Sequence, residues 1–162
     1  MNISTIGTGY VGLVSGACLA DLGHHVTCVD VDAEKVRSIN AKIPPIHEQG
    51  LQALLDRTVG TRLTATQDLR SAVLGSEVSL IAVGTPFDGQ TIDLSDVETV
   101  AHQIGEVLRE KDGYHTVVVK STVVPGTTED VVRPLLEAAS GKTAGVGFGL
   151  GMNPEFLREG EA

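Results

Sequence analysis

The chain has 162 residues, of which 41% are hydrophobic and 20% charged, and its formal net charge is −9. That length fits one domain with its own core, and the acidic balance excludes a nucleic-acid surface, which needs clustered Lys and Arg. It does not exclude a nucleotide, because phosphates can be held by backbone N–H groups at a helix N-terminus without a basic patch.

Strand-like and helix-like segments alternate along the chain. Residues 1–6 read as a strand, 10–22 as a helix ended by Gly23, and 26–31 as a second strand. Asp32 caps a short helix over 33–41, and Ile43-Pro44-Pro45-Ile46 breaks the pattern, since a residue before Pro avoids helix. A helix resumes over 48–57 with Leu51, Leu54 and Leu55 on one face, followed by a short strand at 63–65 and a short helix at 68–73. The apolar run Val78-Ser79-Leu80-Ile81-Ala82-Val83 reads as a strand buried on both faces. An amphipathic helix spans 93–110, with Val97, Val100, Ile104, Val107 and Leu108 sharing a face. A strand at 116–120 and a helix over 127–139, kinked or split by Pro134, come next. A Gly-rich, weakly strand-like stretch at 145–149 leads to a polar motif that closes the chain.

This alternation implies an α/β fold: a Rossmann-type doubly wound parallel sheet with helices on both faces, in three αβα layers, as a single domain over residues 1–162. Aromatic residues are only 3%, so the core must be aliphatic. Cys18 and Cys28, in a helix and a strand, read as buried free thiols, and no Cys/His cluster has metal-ligand spacing, so no metal is expected. The apolar run over 78–87 is too short to span a bilayer and the N-terminus runs straight into a strand, so the expectation is a cytoplasmic protein with no membrane contact.

The loop Gly7-Thr8-Gly9-Tyr10-Val11-Gly12 follows the first strand and opens the first helix. In that setting the GxGxxG pattern has a mechanism. Gly7 permits the tight turn, Gly9 admits a pyrophosphate to the backbone, and Gly12 lets helix and strand pack closely. The helix N-terminus, with Tyr10 and Val11 in its first turn, offers free N–H groups to phosphate. Asp30 stands 23 residues after Gly7, at the end of the second strand. A carboxylate there accepts from adenosine ribose hydroxyls and repels a 2′-phosphate, which favours NAD over NADP. Lys35, one turn past the Asp32 cap, is placed to reach the ribose or a phosphate, or is simply an exposed helix lysine.

Three further segments fall at predicted strand ends: Ala82-Val83-Gly84-Thr85-Pro86, Lys120-Ser121-Thr122-Val123-Val124-Pro125-Gly126-Thr127, and Asn153-Pro154-Glu155-Phe156-Leu157-Arg158-Glu159-Gly160. Together with the Gly-rich loop, this set resembles the N-terminal NAD-binding domain of the UDP-glucose/GDP-mannose dehydrogenase family. The resemblance implies the N-terminal part of a longer, homo-oligomeric enzyme whose linker helix and C-terminal domains lie outside these residues. Such enzymes oxidise the C6 alcohol of a nucleotide sugar to a carboxylate with two NAD, through a thioester on a Cys of a later domain. It implies cofactor contacts from Gly84, Thr85, Pro86, Thr122 and Glu159. Thr122 and Glu155 would serve in catalysis, with Glu155 organising water for thioester hydrolysis. Glu155, Phe156, Leu157, Arg158 and Glu159 would shape the substrate pocket. If the last motif is helical, Glu155 and Glu159 share a face. The resemblance leaves UDP-glucose and GDP-mannose both open as substrate. The other readings of the chain are a non-catalytic NAD-sensing module and a β-hydroxyacid dehydrogenase domain.

Overall fold

The computed structural model describes residues 1–160. Six strands form one sheet: β1 (Asn2–Ile6), β2 (His25–Val29), β3 (Leu63–Thr66), β4 (Val78–Ile81), β5 (Thr116–Val119) and β6 (Gly149–Met152). Their order is β3-β2-β1-β4-β5-β6 and every pairing is parallel. The expected doubly wound parallel sheet is therefore present, with its order reversing between β1 and β4.

The helices are α1 (Tyr10–Asp21), α2 (Ala33–Asn40), α3 (Leu51–Thr58), α4 (Leu69–Leu74), α5 (Ser95–Glu110) and α6 (Arg133–Ser140). They divide between two cores. Leu13 and Ala17 of α1, Ile39 of α2 and Leu55 of α3 pack with Ile3, Val26 and Leu63 on one face of the sheet. Val73 of α4, Val97 and Ile104 of α5 and Leu136 of α6 pack with Ile6, Ile81 and Val117 on the other. Strand side chains alternate sides, so Ile3 and Ile6 of the same strand serve opposite layers.

Several boundaries differ from the sequence reading, each for a local reason. β4 ends at Ile81, not Val83, because the Ile81 carbonyl accepts from both Lys120 and Ser121 N–H and the strands then diverge. The last strand lies at Gly149–Met152 and not at 145–149: Gly145 N–H donates to Phe148 O and Gly147 N–H to Thr143 O, which turns that stretch. α3 begins at Leu51, after Gly50 in a left-handed conformation, so Glu48 precedes the helix. The helix expected over 127–139 is split as foreseen. A π-helical turn, Thr128–Val132, closes on a bond from Arg133 N–H to Thr128 O, and Pro134 stands in the first turn of α6. Pro134 has no N–H for the carbonyl four residues back, and the widened turn absorbs the mismatch.

Cys28 is buried in mid-β2, but Cys18 is exposed. It follows Ala17, which faces the sheet, and one helical step of about 100° turns it outward. At the N-terminal end of the sheet, Lys111 donates its ammonium to the carbonyls of Val73, Leu74 and Ser76, which satisfies the C-terminal end of α4.

Candidate functional site

The sheet order reverses between β1 and β4, and in open α/β sheets the crevice at the C-terminal ends of those strands is where ligands bind. The Gly-rich loop stands at that point. Gly7 has φ +97°, and a Cβ there would lie 2.5 Å from the Ala82 carbonyl oxygen. The loop thus presses against the end of β4 at a distance only glycine permits. Gly12 is tighter still: a Cβ would sit 1.9 Å from Gly7 O.

Gly9 is different. It is the N-cap residue of α1, and a Cβ there would meet nothing within 4 Å. Among the described residues no side chain caps this helix, and its first turn holds no acidic residue. The first turn of α1, with the half-buried Tyr10 and Val11, therefore stands beside open space at Gly9, with the positive end of the helix dipole behind it. This arrangement fits the phosphates of a dinucleotide.

Beside the loop lies a cavity of about 710 Å³, lined by Gly7, Gly9, Asp30, Lys35, Leu69 and Gly84 among others. Asp30 leaves β2 with its carboxylate held on three sides. Oδ2 accepts from Thr8 N–H at 2.8 Å and from the Thr8 hydroxyl at 2.5 Å, and Oδ1 accepts from Asp32 N–H at 3.0 Å. The Lys35 ammonium stands 3.9 Å from Oδ2. Burial alone would raise the Asp30 carboxyl. The Thr8 hydroxyl, the N–H groups of Asp32 and Thr8, and the Lys35 charge outweigh it and hold the group below its ordinary value. Asp32 caps α2 by accepting from Glu34 and Lys35 N–H. The Asp30 carboxylate is thus fixed at the cavity wall, with the Lys35 ammonium beside it.

A second group of side chains is tied together at the ends of β4, β5 and β6. Thr85 donates its hydroxyl to Thr122 O at 2.7 Å. Ser121, buried, donates to Val83 O at 2.7 Å. Thr122 donates its hydroxyl to Glu155 Oε1 at 3.4 Å, and Lys120 donates to Asn153 Oδ1 at 2.9 Å. Gly84 borders both the cavity and this cluster, and Gly84 and Pro86 are exposed. A hydroxyl beside a carboxylate, at the mouth of a dinucleotide crevice, can orient a water or a substrate alcohol.

The closing motif is not helical. Residues 153–158 are irregular and a turn follows at 159–160. Glu155 Oε2 accepts from Leu157 N–H at 2.6 Å, which curls the segment back on itself. Glu155 and Glu159 therefore do not share a helix face, a correction to that expectation. Glu155 joins Thr122, whereas Phe156 (94% exposed), Leu157, Arg158 and Glu159 lie at the surface.

Two participants escaped the sequence reading. Thr8, 0% exposed, fixes Asp30; its only signal was a hydroxyl between the first two loop glycines. Glu48 is buried, and its Oε2 accepts from Gly160 N–H at 2.9 Å, strapping the end of the motif to the 43–50 loop. No periodicity announces a contact across that separation.

Known proteins share this sequence and this fold. The profile of the UDP-glucose/GDP-mannose dehydrogenase family, NAD binding domain, matches residues 1–162. GDP-mannose 6-dehydrogenase of Pseudomonas aeruginosa is 53% identical over 100% of this chain and 38% of its own length. UDP-glucose 6-dehydrogenase AglM of Haloferax volcanii is 50% identical over the same shares. The 1.55 Å crystal structure of a ternary complex of the Pseudomonas aeruginosa GDP-mannose dehydrogenase superposes with a TM-score of 0.96 at 53% identity, covering 99% of this chain and 37% of that one. A UDP-glucose dehydrogenase from Pyrobaculum islandicum gives 0.89 at 41% identity over 98% and 36%. The chain thus spans a little over a third of the length of these relatives.

Proposed function

The chain belongs to the UDP-glucose/GDP-mannose dehydrogenase family as an NAD-binding domain, and on that premise we propose that it serves the oxidation of a nucleotide-sugar C6 alcohol to a carboxylate. The observation that supports this best is the uncapped N-terminus of α1, open at Gly9, beside the fixed carboxylate of Asp30. NAD supplies a hydride acceptor when bound, and two successive oxidations of one alcohol need two of them. The chain's own residues bind and orient. The Gly9–Gly12 turn takes the pyrophosphate, Asp30 takes a ribose hydroxyl, and Lys35 neutralises charge at the cavity wall. Gly84, Thr85 and Pro86 border the nicotinamide end, where Glu159 makes a further contact. Thr122 and Glu155 orient the water that hydrolyses a thioester. Phe156, Leu157 and Arg158 present the surface that meets the sugar nucleotide. GDP-mannose and UDP-glucose are both candidates, since the relatives named for each are similarly close.

The nucleophile that carries the thioester is neither Cys of this chain. Cys28 is buried in mid-strand and its thiol is pushed up to about 12, by burial first and then by Asp30. Cys18 is on the outer side of α1, and burial and Asp21 raise its thiol as well.

Two measurements test this reading. In calorimetric titration the chain binds NAD at least about tenfold more tightly than NADP, because a 2′-phosphate would face Asp30; equal affinities contradict the role given to Asp30. Incubated with NAD and either UDP-glucose or GDP-mannose, residues 1–162 alone form no sugar carboxylate. Its formation would refute the placement of the nucleophile elsewhere, since the second oxidation passes through the thioester.

A further inference from the structure

Thr8 does more than fill a loop position. It is 0% exposed, and both its N–H and its hydroxyl donate to Asp30 Oδ2. Asp32 N–H takes one position on Oδ1. An ionised carboxylate offers about four acceptor positions. Three donors are already in place, so one position is left, on Oδ1, and Asp30 borders the cavity.

We propose that Thr8 is the positioning residue for cofactor choice: it pins the Asp30 carboxylate so that a single ribose hydroxyl, and not a phosphate ester, finds an acceptor there. The inference rests on the reading of Asp30 as the ribose acceptor and deepens it. An aspartate free to rotate would swing away from an incoming 2′-phosphate and discriminate weakly. Held from two atoms of one buried residue, it cannot yield, and its charge stays where the phosphate would have to sit. Both bonds end on a carboxylate and are charge-assisted. The Thr8 hydroxyl is also the largest influence opposing the effect of burial on Asp30. Because Thr8 stands between Gly7 and Gly9, one rigid turn sets the pyrophosphate position and the ribose acceptor together.

The test is calorimetric titration of NAD and NADP across pH on the chain and on Thr8→Val, Thr8→Ser and Asp30→Ala. Valine keeps the buried volume and removes the hydroxyl, so the NAD preference falls about tenfold, and the acid limb of NAD binding moves to higher pH. Thr8→Ser restores both, which a merely space-filling role would not. Should Thr8→Val fail to fold, Thr8→Ala removes the same hydroxyl with less bulk. If Asp30→Ala loses the preference while the Val and Ala variants keep the parental ratio and acid limb, the inference about Thr8 is overturned and Asp30 stands. If Asp30→Ala also keeps the preference, the ribose reading itself fails and takes the inference with it.

Discussion

Gly12→Ala is expected to destabilise the chain by about 3 kcal/mol or more, lowering the melting temperature by roughly 6–12 °C for a chain of this size. Gly12 sits in a helical turn where alanine is otherwise favoured, so propensity predicts a small gain. The structure predicts the opposite. The added Cβ would meet Gly7 O at 1.9 Å and the Ala82 side chain at 3.1 Å. Both neighbours belong to fixed backbone: Gly7 is anchored by its N–H to Val29 O, and Ala82 by its N–H to Ile6 O. Neither can retreat without breaking strand pairing at the site. Thermal melting followed by circular dichroism checks this. A melting temperature within about 2 °C of the parent would mean that α1 does not pack as described.

Acidification is expected to remove up to about 3 kcal/mol of stability between pH 6.5 and pH 4, through His115. The residue lies 1% exposed at the N-terminal end of β5. Its Nε2 is 2.9 Å from the Ser79 hydroxyl and its Nδ1 3.1 Å from Ser76 O. Ser79 in turn bonds Ser4, and Ser76 bonds Ser4 as well, so the ring closes a buried polar network. Burial, aided by the charges of Lys111 and Lys142, pushes the imidazole down to about 4. Between that value and the ordinary one of about 6.5, the unfolded chain takes up a proton that the folded chain refuses. Stability is therefore complete above pH 6.5 and is lost as the pH falls toward 4. His115→Gln, which keeps polar atoms but does not titrate, should melt lower at pH 7 and show a flatter dependence between pH 6.5 and 4. Equal slopes for parent and variant would show that carboxylates elsewhere carry the acid transition.

The parts of the site that the sequence disclosed are those governed by local chemistry. Gly7 and Gly12 each answer a need for turn or packing that no larger residue meets, and Asp30 falls at a strand end 23 residues after Gly7. The alternation of helix and strand was legible because each layer has its own apolar spacing. What stayed hidden depends on partners far along the chain. Beside the local bond from Leu157 N–H to Glu155, the path of the last motif is held by Lys120 on Asn153, Thr122 on Glu155 and Glu48 on Gly160. Carboxylate spacing of four residues suggests a helix, yet those contacts and Pro154 override it. Cys18 shows the limit of periodicity in α1, whose small residues make the buried face hard to phase: Gly12, Gly16 and Ala17 are buried while Cys18 beside them is exposed. Thr8 was invisible because its role is a bond to a residue 22 positions away.

Gly9 separates the cofactor site from the fold. Alanine at Gly12 strikes backbone, but alanine at Gly9 meets nothing within 4 Å of its Cβ, and exchanging glycine for alanine at an N-cap costs only about 1 kcal/mol. Calorimetric titration of Gly9→Ala with NAD, beside its melting curve, is the most direct measurement of whether the first turn of α1 receives the pyrophosphate. The structure predicts a melting temperature within about 4 °C of the parent and NAD affinity reduced about tenfold or more. An unchanged affinity in the folded variant would contradict the assignment of the pyrophosphate to this loop.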